Sequence, residues 1–87
     1  MNELILHRRA ARYYERLPGD VKISLAEKLE ALRDDPLGYP GSIAMAGEWA
    51  GYRRFRHGGL RIIYTYRPEE SRVYVNHIGP RGDVYKK

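Results

Sequence analysis

The sequence predicts an α+β domain of element order βααβββ, a helical hairpin packed on one face of a small, mainly antiparallel sheet. Three observations carry that expectation. Residues 3–7 read ELILH, a short apolar run between polar flanks; helical spacing governs Arg8 to Leu32; and residues 52–57, 60–66 and 73–78 alternate as strands do.

The elements follow in order. In the first helix Ala10, Tyr13 or Tyr14, and Leu17 recur on one side until LPGD interrupts the run. The second helix is expected to start with Asp20 as its N-cap. Val21, Leu25, Leu29 and Leu32 then hold one face, with Lys22, Glu27, Lys28 and Glu30 mostly turned away. Asp35 precedes Pro36, and a residue before proline avoids the α region, so the helix ends there. Residues 36–51 are rich in Pro and Gly and predict a long connection with a short helical turn, from which Trp49 is expected to plug the core. A chain of 87 residues holds one core, hence one domain over residues 1–87.

The first strand pair sorts its own side chains. With Gly58-Gly59 as a two-residue loop, His57 pairs with Leu60, Arg56 with Arg61 and Arg54 with Ile63. Directly paired residues share a face. Phe55, Leu60, Ile62 and Tyr64 then pack on the helices, with Arg53 toward the rim, while Tyr52, Arg54, Arg56, Arg61, Ile63 and Thr65 form the other face. Like charges directly opposite each other destabilise a strand pair, so Arg56 facing Arg61 points to an anion between them. Arginine suits phosphate in particular, offering a planar fork of donors that stays charged.

The charge distribution points the same way. The net charge is +5, and no Asp or Glu lies between Trp49 and Pro68, where five of the sixteen Lys and Arg residues fall. The remaining eleven are balanced by the eleven acidic residues. The whole excess therefore sits on the hairpin, which implies a polyanionic partner.

Other classes are disfavoured. Without cysteine the chain has neither disulfides nor a thiolate metal site, and a reducing cytoplasm is the compartment that fits. No run reaches the length of a membrane-spanning helix, and MNELILHRR lacks the apolar segment of a signal peptide. No two histidines have metal-ligand spacing, so neither a metal nor another cofactor is expected. His7 and His57 read as surface residues. If alternation runs unbroken from Val73 and Val75, His77 faces the helices, away from the arginines.

Taken in order, these pieces resemble the RelE/ParE toxin superfamily of type II toxin–antitoxin systems over almost the full length. The matching residues are Leu32, Asp35 and Pro36 closing the helical hairpin, the Met45-Ala46-Gly47 step, and Tyr52, Arg54, Arg56, Gly58, Leu60, Arg61 and Tyr64 on the strands. Gly79, Arg81, Val84 and Tyr85 match at the chain end. The resemblance implies one of two activities. RelE-like members cut messenger RNA in the ribosomal A site without a metal; ParE-like members share the fold and poison DNA gyrase.

Carried over residue by residue, the resemblance to the RelE-like branch implies Arg54, Arg61, Arg81 and Tyr85 as catalytic groups. Tyr52, Arg53, Arg56, His77 and Lys86 are expected to contact RNA, with His77 in reserve. The implied partners are a cognate antitoxin covering the basic face, the ribosome and its message, with no membrane and no small-molecule cofactor. Two departures stand out. Positions that carry lysines in RelE hold Tyr52 and Arg54, and the tyrosine before the matched arginine is Leu60. Lysine can titrate when its pKa is lowered and arginine cannot, so proton transfer falls to Tyr85, Arg81 or the substrate's surroundings.

Overall fold

A computed structural model describes residues 2–80. Strand β1 (Glu3–Leu6) leads into helices α1 (Arg8–Glu15) and α2 (Gly19–Asp34). A two-residue strand β2 (Ile43–Ala44) and a 3₁₀ turn (Gly47–Trp49) follow, then β3 (Arg53–His57), β4 (Leu60–Arg67) and β5 (Arg72–Pro80). The five strands form one sheet in the order β1-β5-β4-β3-β2. Only the β1–β5 pair, the first and last strands, is parallel; the other pairs are antiparallel. The predicted architecture is therefore the observed one, with β2 as an added edge. Two residues in the middle of a Gly/Pro-rich connection carry no periodicity by which to find it.

Local chemistry explains the element ends. Helix α2 begins two residues earlier than expected, with Pro18 as its N-cap. Asp20 lies inside the first turn instead of capping it, where its carboxylate still meets the positive end of the helix dipole. Asp35 leaves the helix at φ −146°, as the residue before a proline must. At the β3–β4 turn Gly58 takes φ +60°, the positive value a type II′ loop requires at its first position.

One face of the sheet is covered. Ala10, Leu25, Leu29 and Leu32 of the helices pack against Phe55, Ile62, Tyr64, Val73, Val75 and Ile78. Leu25 and Leu32 are fully buried, so truncating either to alanine costs roughly 2–5 kcal/mol. Trp49 is not among these core residues; it is half-buried and stands edge-on to Tyr52, ring centroids 5.2 Å apart.

A hydrogen-bonded chain ties the long connection to this core. The Arg53 Nε–H donates to Ser42 Oγ at 2.8 Å, and Tyr64 donates its hydroxyl to the Pro36 carbonyl. Ser42 and Tyr64 hydroxyls are bonded to each other, and since the Tyr64 proton is committed to Pro36, Ser42 is the donor of that bond. Tyr64 is completely buried, and a buried hydroxyl without such partners would cost about 1–3 kcal/mol.

Candidate nucleic-acid face of the sheet

The second face of the sheet is left open by the helices, and strand register decides what it presents. In β3 and β4, Arg54 pairs with Ile63 and Arg56 with Arg61, the register expected from the Gly-Gly loop. On β5, Ile63 pairs with His77 but Tyr64 pairs with Val75, so Asn76 is an extra residue, a β-bulge. The bulge is held by the Asn76 amide nitrogen, which donates to Thr65 Oγ1 at 3.2 Å and to the Tyr74 carbonyl at 3.3 Å.

The bulge reverses the expectation for His77. Alternation from Val73 and Val75 would turn it toward the helices; one inserted residue changes the parity, so Ile78 joins the core and His77 joins the arginine face. Two rows now cross the open face. One runs Arg54, Ile63, His77; the next runs Arg56, Arg61, Gly79. Gly79 is buried, and a Cβ built on it would stand 2.7 Å from His77 Nε2. The imidazole thus leans along its strand into the row that holds Arg61, in space that any larger residue would fill.

The arginines differ in exposure. Arg61, with 6% of its surface accessible, is the buried charged side chain among the described residues, whereas Arg56 opposite it is exposed and Arg54 is half-buried. A guanidinium held below the surface acts through a lower effective dielectric than one in water, so its field is stronger at short range. Ile63 is also fully buried, although it lies outside the helix-side core.

Arg53 is set apart from the others. It lies on the helix-facing side, and its guanidinium bonds Ser42 Oγ, the Ser42 carbonyl at 3.4 Å and the Leu37 carbonyl at 3.5 Å. Tyr52 is half-buried at the margin of the open face. Arg81, Tyr85 and Lys86 lie outside the described residues. Of the expected site residues, then, Arg54, Arg56, Arg61 and His77 are brought together, and Arg53 is not. Gly79 was matched in sequence as a motif position only; its use, making room for an imidazole, needs the register to be known.

No group of three or more His, Asp or Glu side chains gathers as a metal site among the described residues. No helix among them is long and apolar enough to cross a membrane.

The fold and sequence have known counterparts. The chain superposes with TM-score 0.79 on a chain of the RelBE2 toxin–antitoxin complex of Mycobacterium tuberculosis, at 22% identity, over 92% of this chain and 98% of that one. The archaeal RelE–RelB complex of Pyrococcus horikoshii gives 0.79 at 21% identity, over 93% and 96% of the two chains. The YoeB/ParE toxin of Agrobacterium tumefaciens gives 0.79 at 19%, over 93% and 99%. At these identities the likeness shows the shared fold. A search of curated proteins by sequence returned no match. The sequence profile described as the ParE toxin of the type II toxin–antitoxin system parDE matches residues 4–85, nearly the whole chain. The chain belongs to that ParE toxin family, within the RelE/ParE superfamily of type II toxin–antitoxin toxins.

Proposed function

We propose that this toxin is a metal-independent, ribosome-dependent endoribonuclease of the RelE type, held in check by a cognate antitoxin. The observation that carries the reading is the open-face pairing of Arg56 with Arg61, one row from Arg54 and His77. A like-charge pair is unfavourable for folding alone and favourable around a phosphodiester.

The chemistry has three requirements. The ribose 2′-hydroxyl must lose its proton, the phosphorus must accept the 2′-oxygen while its charge is neutralised, and the 5′-oxygen must leave with a proton. Arg54, Arg56 and Arg61 supply fixed positive charge where negative charge develops, the largest contribution when the donors are held beforehand. Arginine does not exchange protons near neutrality, but imidazole does. His77, leaning into the Arg61 row, is the base that takes the 2′-proton in this reading. Arg81 and Tyr85 serve at the leaving oxygen and in stacking the base. The antitoxin covers the face with an acidic helix or strand, in the manner of peptides that dock on sheets.

A second reading has its own support, since the matching family profile is described by ParE. In it the same face binds DNA gyrase and nothing is cut. Two assays separate them: mapping message 5′ ends in a translation extract, and gyrase supercoiling in the presence of the purified chain. Cleavage within codons with unaffected supercoiling supports the nuclease; the opposite pair of results supports the gyrase inhibitor.

A further inference from the structure

The open face carries a second concavity, four residues along β4 from Arg61. It encloses about 520 Å³ and is lined by Tyr52, Thr65, Arg67, Glu70, Tyr74 and Asn76, with His7 at its edge. Four β4 residues span about 13 Å, so the pocket lies beside the arginine rows without containing them.

Its chemistry differs from that of the rows. A carboxylate, Glu70, stands in the lining, and a phosphate placed there would be repelled. Two tyrosines flank the floor: Tyr74 pairs with Thr65 across β5 and β4, and Tyr52 precedes β3 on the other side of β4. Strands two apart are separated by about 9.6 Å, a spacing from which two inclined rings can close on one flat ring between them.

The polar groups are already oriented. Tyr74 donates its hydroxyl to Glu70 Oε1 at 2.7 Å, and Arg72 Nη1 approaches the same oxygen at 3.8 Å. Both contacts fall on Oε1, so Oε2 and the remaining lone pair of Oε1 can accept further donors. Asn76 has its amide nitrogen committed to Thr65 and to the Tyr74 carbonyl, and so offers the pocket an acceptor. Arg67 adds a forked donor.

We propose that this pocket takes a guanine base, read by Glu70 on its Watson–Crick edge and by Arg67 on O6 and N7. Guanine alone among the four bases presents two adjacent N–H donors, at N1 and N2, to a carboxylate. Adenine and cytosine set a ring-nitrogen acceptor beside their amino group, and uracil flanks its single N–H with carbonyls; a carboxylate is repelled in each case. Arginine forked on O6 and N7 is the commonest specific contact to guanine, and single-stranded bases are read on both edges while stacked on aromatic rings. As a determinant of which message position is cut, the pocket rests on the nuclease reading above; as a guanine site it does not.

The test is binding of 5′-GMP, 5′-AMP, 5′-CMP and 5′-UMP to the full chain at matched ionic strength, by titration calorimetry or amide chemical shifts. The common phosphate cancels in the comparison. GMP is expected to bind at least about tenfold tighter than the other three, the discrimination of one good bidentate contact. Glu70→Gln is expected to reduce the preference to within about threefold and Arg67→Met to weaken it, while Lys28→Gln, an exposed change on helix α2, leaves the ratio unchanged. Equal binding of the four nucleotides, no binding at all, or a GMP preference that survives Glu70→Gln overturns the proposal. A GMP preference in a chain that cuts no message retains the pocket and removes the nuclease; cleavage without any base preference does the reverse.

Discussion

Arg56 and Arg61 stand directly opposite each other across β3 and β4, the first exposed and the second almost wholly buried. Like charges directly opposite each other weaken a strand pair, and a neutral residue at the exposed position relieves that repulsion. Arg56→Gln is therefore expected to leave stability unchanged or raise it by up to about 0.5 kcal/mol. The same change removes one phosphate contact. The slope of log K against log salt for single-stranded RNA should flatten by roughly 0.7. Thermal unfolding and a salt series of RNA titrations check the two halves. A large loss of stability with an unchanged salt slope would show that Arg56 is structural.

Neighbouring arginines should behave oppositely. Arg53 holds Ser42 and two backbone carbonyls on the helix side, so Arg53→Ala should cost about 1–2 kcal/mol and leave the salt slope alone. Arg54→Ala should flatten the slope with little effect on unfolding. Tyr64→Phe, which breaks both hydroxyl bonds to Ser42 and Pro36, should cost about 1–3 kcal/mol. Denaturant midpoints of the three variants, measured side by side, distinguish the anchor from the ligand-facing arginine.

His77 and Gly79 form a coupled pair. Gly79 has an ordinary φ, so alanine is acceptable to the backbone, but its methyl would displace the imidazole. Gly79→Ala and His77→Ala should each lower RNA cleavage by tenfold or more, and the double variant should be no worse than His77→Ala alone. A double-mutant cycle on cleavage rate reads this coupling directly. Additive losses would mean that Gly79 acts on something other than the ring.

Tyr39 gives the fold an alkaline limit. Burial, and then the neighbouring Tyr64, raise its phenol above the ordinary value of 10.0. The unfolded chain releases that proton near pH 10 while the folded chain retains it. This contribution to stability is thus complete below about pH 10 and is lost as pH rises through the higher folded value. Urea midpoints between pH 9 and 11 should fall, and Tyr39→Phe, which keeps the edge-on contact with Phe55, should flatten that part of the profile.

How far the sequence reached depends on what set each feature. The β3–β4 register was legible because a two-residue Gly-Gly loop leaves no freedom in pairing, and with it came the face shared by Arg54, Arg56 and Arg61. His77 was misplaced because its face depends on a bulge at Asn76, held by a bond to Thr65 on another strand, and alternation within β5 carries no trace of that bond. Arg53 was readable as facing the rim, but its partners come from a loop without periodicity. Trp49 was expected in the core from its size alone, and the 3₁₀ turn directs it onto Tyr52 instead. The burial of Arg61 is a tertiary property that no spacing encodes.

The activity proposed for the open face is cleavage of messenger RNA. The direct measurement is the map of message 5′ ends in a translation extract given the purified chain, repeated with Arg61→Ala and His77→Ala variants shown by circular dichroism to be folded. New ends are expected within codons at the ribosomal A site, reduced at least tenfold by either substitution. Messages left intact by the unaltered chain on translating ribosomes, together with inhibited gyrase supercoiling, would contradict it.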